Sequence, residues 1–297
     1  MNNEKLNVSG RISALLLIVL ALLCGLELLL SFVPLPINNL HKLLIYIILF
    51  FLPIFIYLKV NRYKAGKALR LRHVKIKYAP FIILFSLSVS FICAILNAVS
   101  FWIGRMAGQT DNAAQLVSVT GSNPLTIILI LIILPAIAEE LLMRGVALFE
   151  YRKYGVAISI IMTSVLFALF HINVQTFLSL LTAGAFYAVL TLLFDSVYPA
   201  IIAHLINNTL SVFISYNQSF VRYILSDSLF AVLLALIIFA VLFFTLKMAE
   251  GVIDSLGNKN RLHTDTKKLA YGDPLKSIWL WLFVLLSVCM MVINIII

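Results

Sequence analysis

Leu134-Pro135-Ala136-Ile137-Ala138-Glu139-Glu140-Leu141-Leu142-Met143-Arg144-Gly145 lies inside an apolar run, 124–149. A helix that crosses a bilayer needs about 20 mainly apolar residues, and this run supplies them. A carboxylate at the centre of such a helix costs about 2.5–3.5 kcal/mol on insertion scales. Two adjacent glutamates and an arginine one turn later are not accounted for by lipid contact. They place this helix among others, facing a protein interior or a water-filled cavity.

The rest of the chain agrees. Its 297 residues are 63% hydrophobic and 11% charged, against about 45–50% and about 25% in a soluble domain. Nine apolar runs are long enough to be candidate spans: 11–33, 43–60, 79–104, 124–149, 155–172, 174–194, 197–217, 227–247 and 277–297. The expected fold is an all-α polytopic membrane protein. It is a bundle of about eight to nine transmembrane helices with a polar intramembrane cavity, and residues 1–297 form one membrane domain. Lys5 and Arg11 precede a first run longer than a signal-peptide core, so that run reads as a retained span. Cys24, Cys93 and Cys289 all sit in apolar runs and suggest neither a disulfide framework nor a zinc site.

The net charge of +10 is segregated into loops, which argues against nucleic acid as a partner. Residues 59–78 carry eight Lys/Arg and no acid, and the loop 248–276, with Lys247 at its edge, carries six Lys/Arg. The positive-inside rule makes both loops cytoplasmic, together with Arg152, Lys153 and the N-terminus. The C-terminus then lies outside. The first basic loop could also touch anionic headgroups of the bilayer.

Within 124–149, Glu140 and Arg144 are four apart and share a helix face, with the acid N-terminal as an ion pair prefers. Glu139 lies about 100° around the helix and is not claimed by that pair. Pro135 lacks an amide hydrogen, which frees a carbonyl and favours a kink. Phe167 and His171 share a face near the end of the fifth run. His204 and Asn208 share a face in the seventh. Glutamate, two histidines and an asparagine are a sufficient set for water-activated amide hydrolysis. An acid with a histidine deprotonates water, while the other imidazole and the amide donate to the developing oxyanion. The same groups could hold a divalent metal such as zinc, through Glu139, His171 and His204. The metalloprotease motif His-Glu-x-x-His is absent, as are Gly-x-Ser-x-Gly and Ser-Lys arrangements.

Glu139-Glu140-x-x-x-Arg144, Phe167-x-x-x-His171 and His204-x-x-x-Asn208, in that order on successive spans, resemble the CAAX-protease and bacteriocin-processing (CPBP, or Abi) family of intramembrane endopeptidases. Gly145 after the arginine and Tyr198-Pro199-Ala200 before His204 fit the same pattern. The resemblance covers about residues 124–215, the expected catalytic core. It implies that Glu139 is the catalytic glutamate and His171 its partner on the water. It makes His204 and Asn208 the oxyanion pair, with Glu140, Arg144 and Phe167 in support. The family is described both as metal-dependent and as glutamate-dependent without a required metal. Its eukaryotic members trim the last three residues of prenylated CAAX proteins. Bacterial members act in peptide maturation or bacteriocin immunity, so a bacterial plasma membrane and a membrane-associated peptide or protein substrate are implied. Two other readings stand beside it: a non-catalytic scaffold or self-immunity protein, and a transporter with an acidic proton relay.

The linear arrangement carries one difficulty. His171 lies near the outer end of its run and His204 about two turns from the inner end of its own. At about 1.5 Å per residue they could be more than 10 Å apart. Short fifth and sixth runs that dip into the membrane around Asn173-Val174-Gln175-Thr176 would remove the gap.

Overall fold

The computed structural model describes residues 3–32, 39–106, 123–256 and 273–296. Much of the second basic loop, 257–272, and most of the loop 105–123 lie outside them. The elements are α1 (Asn3–Phe32), α2 (Asn39–Val60), α3 (Ala79–Met106), α4 (Pro124–Tyr154), α5 (Val156–Phe170), α6 (Phe177–Phe194), α7 (Tyr198–Tyr216), α8 (Gln218–Ser226), α9 (Ser228–Ser255) and α10 (Ile278–Ile296). No strand occurs among the described residues. In hydrocarbon every backbone N–H and C=O must be satisfied within the protein, and helices do this segment by segment. The protein is thus an all-α polytopic bundle.

Among the described residues, seven helices are long and apolar enough to cross a membrane by length and composition, α1–α4, α6, α9 and α10. The other two of the nine expected runs fall short for different reasons. α5 has only 15 residues. α7 has 19, but it carries His204, Asn207, Asn208, Thr209 and Ser211, which lower its hydropathy.

The chain ends of the helices sort onto two faces. Ser9 Oγ donates to the Pro274 carbonyl at 2.9 Å and Arg11 to Asn61 Oδ1 at 2.6 Å. Lys153 Nζ donates to Tyr63 Oη at 3.2 Å, and Ser255 Oγ to Tyr78 Oη at 3.2 Å. Asp195 is bound by Arg70 at 2.6 Å and by Arg72. The starts of α1, α3 and α10 therefore share one face with the ends of α2, α4, α6 and α9. The described part of the first basic loop, Arg152 and Lys153 all lie there, as the charge distribution leads one to expect. α1 and α10 start together and pack along each other, so they run parallel.

Two apolar clusters form the interior. One joins α1, α2, α4, α5 and α10 through residues such as Leu16, Phe50, Leu142, Phe167 and Phe283. The other joins α3, α6, α7 and α9 through Phe81, Cys93, Tyr187, Phe194 and Ala203. α9 is almost wholly uncovered, with Leu233, Leu236, Phe239 and Phe243 exposed. This is the surface expected of a lipid-facing helix.

Small residues set the closest approach. A Cβ on Gly184 of α6 would stand 3.0 Å from Ser164 Cα of α5 and 3.4 Å from Arg144 Nη2. Van der Waals packing of such small faces is a main source of helix association in membranes. Gly184→Ala is expected to lower stability by about 1–3 kcal/mol, the usual effect of overpacking. Thermal unfolding in detergent measures it.

Candidate active site

α4 is not a regular helix. Two segments widen to π-helical geometry, Ile128–Ile133 and Leu141–Ala147, on either side of the α-helical Leu134–Glu140. The first lies directly before Pro135, where a missing amide prevents a regular hydrogen bond. The second starts just after the glutamates. Such widened turns concentrate at functional sites. They replace the simple proline kink that the sequence suggests.

The glutamates point into different surroundings. Glu140 and Arg144 are fully buried and paired, Nη1 to Oε1 at 3.1 Å. Arg144 Nη2 donates to the Gly184 carbonyl at 3.0 Å. The guanidinium lies over the Phe167 ring at 4.5 Å and near that of Tyr187 at 5.4 Å. A desolvated cation over an aromatic face gains about 2 kcal/mol or more. His204 Nδ1 reaches the same Glu140 Oε1 at 3.0 Å, so one carboxylate oxygen ties α7 to α4. His204 also stacks on Tyr187, with centroids 5.4 Å apart and planes at 25°.

Glu139 belongs to the other side. Its Oε2 lies 3.4 Å from His171 Nε2, and its Oε1 accepts from Tyr46 Oη of α2 at 3.1 Å. His171 caps the end of α5, and its Nδ1 sits 2.8 Å from the Phe167 carbonyl. A carbonyl only accepts, so Nδ1 carries the hydrogen and Nε2 faces Glu139. The side chain of His171 is 27% exposed, against 0% for Glu140 and Arg144. The accessible part of the constellation is thus the Glu139–His171 side. The next residue, Ile172, has φ 53°, a strained value for a β-branched side chain. Asn294 of α10 holds that turn by donating to the Ile172 carbonyl at 3.1 Å.

Phe167 joins the two halves. Its ring is in edge contact with His171 at 4.7 Å and with His204 at 5.8 Å. The depth difficulty is thereby removed, since one ring touches both histidines. Each histidine meets its own glutamate, and the two glutamates are adjacent on α4. The turn 171–176 joins two helices of 15 and 18 residues that pack along each other.

Asn208 lies one turn beyond His204 and is half-buried. Among the described residues no hydrogen bond ties it to either glutamate or histidine. Tyr46, Tyr187 and Gly184 were not singled out from sequence. Tyr46 carried a signal, because it is the single hydrogen-bonding side chain between 43 and 56. Gly145 has a packing reason: a Cβ there would lie 2.8 Å from Leu69 Cδ2, so its absence lets the basic loop dock on α4.

Four buried atoms of this cluster have no hydrogen-bond partner among the described residues: Glu139 Oε2, Glu140 Oε2, Arg144 Nε and Tyr187 Oη. Buried polar atoms are nearly always satisfied, by protein or by ordered water, and this concentration singles the cluster out as the candidate site. No three His, Cys, Asp or Glu side chains among the described residues converge as a metal site. Glu139 and His171 offer two donors together, whereas His204 turns Nδ1 to Glu140.

Residues 121–210 match the family model described as Type II CAAX prenyl endopeptidase Rce1-like. The match is consistent with the CAAX-protease and bacteriocin-processing family, and it contains both glutamates, both histidines, Arg144, Phe167 and Asn208. No curated protein and no solved structure matched the chain.

Proposed function

We propose that the protein is an intramembrane endopeptidase of the CAAX-protease type, which hydrolyses a peptide bond of a membrane-associated peptide or protein with water activated by Glu139. The observation that carries this reading is the facing of Glu139 and His171 at the accessible side of the cluster; in the neutral form of His171 both groups accept. Among the described residues Glu139 Oε2 has no hydrogen-bond partner, and His171 Nε2 stands 3.4 Å away while Nδ1 is held by the Phe167 carbonyl. A water that donates one hydrogen to each satisfies both and turns a lone pair outward.

The reaction follows from that arrangement. The water oxygen attacks the scissile carbonyl carbon as Glu139 takes a proton, with His171 holding the second hydrogen. The carbonyl oxygen becomes an oxyanion. His204 in its imidazolium form donates from Nδ1 to Glu140 and from Nε2 to that oxyanion, beside the amide of Asn208. Glu139 then returns its proton to the leaving nitrogen, the C–N bond breaks, and an acid and an amine depart. Arg144 offsets the charge of Glu140 and holds α6 against α4. No step requires a metal. The N-terminus and the basic face lie on the cytoplasmic side in this reading.

The test is full-length protein in proteoliposomes, incubated with a panel of membrane peptides that includes a farnesylated peptide with a CAAX-type tail. Mass spectrometry should find an internal cleavage product. No product with folded protein, or one equally abundant with Glu139→Gln, overturns the reading and leaves the scaffold or immunity role. A proton flux that depends on Glu139 would favour the transporter instead. His171→Ala should lower kcat by about 10²-fold, the lower part of the range for general-base catalysis. Initial rates on the same peptide measure it.

A further inference from the structure

We infer that Tyr46 is a positioning residue for the catalytic carboxylate, supplied by a helix that lies outside the matched segment. The inference rests on the reading of Glu139 as the base.

A carboxylate has two chemically equal oxygens, and its terminal torsion is broad and two-fold. Unless something distinguishes them, neither oxygen keeps a fixed place against a water. Among the described residues, Glu139 receives one hydrogen bond, from Tyr46 Oη to Oε1 at 3.1 Å. That bond occupies Oε1 and stops the rotation. Oε2 is left facing His171 Nε2, where the water must sit. Tyr46 thus decides which oxygen acts.

The phenol is itself held. Its ring stacks on Phe50, one turn on, at 4.5 Å and 21°. Phe50 is buried and meets the edge of Phe170 at 5.9 Å, and Phe170 stacks against Phe283 of α10 at 6.5 Å. Phe170 directly precedes His171. One aromatic ladder through α2, α5 and α10 therefore fixes the donor to Glu139 at one end and the backbone beside His171 at the other. The opposite face of α2 is lipid-like, with Leu44, Ile48, Leu52 and Phe55 exposed. α2 contributes a hydroxyl inward and hydrocarbon outward. Tyr57, the only other tyrosine on α2, binds Glu150 near the basic face and has no part in the site.

The experiment compares Tyr46→Phe with Tyr46→Ala in full-length protein in proteoliposomes, on the farnesylated CAAX-tailed peptide. Tyr46→Phe keeps the ring and its stacking but removes the hydroxyl. The expected result is a fall in kcat of about 10- to 100-fold in both variants, the effect of one hydrogen bond to a charged group. KM should stay within about threefold, and Tyr46→Phe should melt like the parent protein. Parental kcat in Tyr46→Phe overturns the inference, whether or not Tyr46→Ala is impaired, because the ring alone then suffices. A raised KM with unchanged kcat also overturns it, and assigns Tyr46 to substrate binding. Failure of the underlying reading looks different: Glu139→Gln would then cleave as the parent does, or the parent would not cleave at all.

Discussion

Glu139→Gln should reduce peptide cleavage by at least about 10³-fold while leaving the protein folded and inserted. Glutamine has the same shape, so Tyr46 can still donate to its carbonyl oxygen. It cannot take a proton from water at any pH at which the protein is stable. General-base catalysis contributes about 10²–10⁴-fold, and here the water also loses the acceptor that orients it. Positioning and proton transfer fail together, which places the expected loss in the upper part of that range. Single-turnover cleavage with enzyme in excess measures it, with melting temperature as the control for folding. Because Glu139 is 11% exposed and not part of the Glu140–Arg144 pair, the melting temperature should change little. A Glu139→Gln protein that cleaves within tenfold of the parent would remove the glutamate from the mechanism.

Arg144→Met should act the other way, chiefly on stability. Arg144 is fully buried, pairs with Glu140, bonds Gly184 of α6 and lies over Phe167 of α5. Methionine fills much of the volume but leaves a buried carboxylate without its cation. Breaking a buried pair from one side costs about 3–5 kcal/mol. At this chain length that lowers the melting temperature by roughly 10 °C. The double variant Glu140→Gln/Arg144→Met removes the orphaned charge and should recover at least half of the loss. A double variant as unstable as the single one would show that the bond to Gly184 and the ring contact matter more than the charge pair. Glu140 also holds His204, so the double variant should lose activity even though stability returns.

The contrast between these variants marks what could be read from the chain. The identity of the glutamate pair was legible because an energetic anomaly announces itself in an apolar run. The pairing of Glu140 with Arg144 was legible because i, i+4 spacing is geometry the sequence states directly. The assembly of α4, α5 and α7 was legible only in outline. Residue counting gave the rise of each helix but not side-chain reach, which is what brings His171 to Glu139 and His204 to Glu140. The widened turns of α4 were hidden behind Pro135, which signals a disturbance and not its form. Tyr46, Tyr187 and Gly184 were missed for a common reason. Aromatic and small residues are ordinary in membrane helices, and their roles here come from partners far away in sequence, Glu139, Arg144 and Ser164. Asn208 remains a reading from its pattern, on the same helix as His204 and without a bond to the glutamates.

The parallel packing of α10 on α1, with Asn294 fastening the turn after His171, bears on when the site comes into being. α10 leaves the ribosome after every helix that supplies Glu139, His171 or His204. Until it arrives, the carbonyl of the strained Ile172 lacks Asn294, and the ring of Phe170 has Phe50 of α2 but not Phe283. A nascent chain would thus carry every residue of the proposed site in an unlatched state, and the order of synthesis itself would postpone the site's completion until α10 packs against α1.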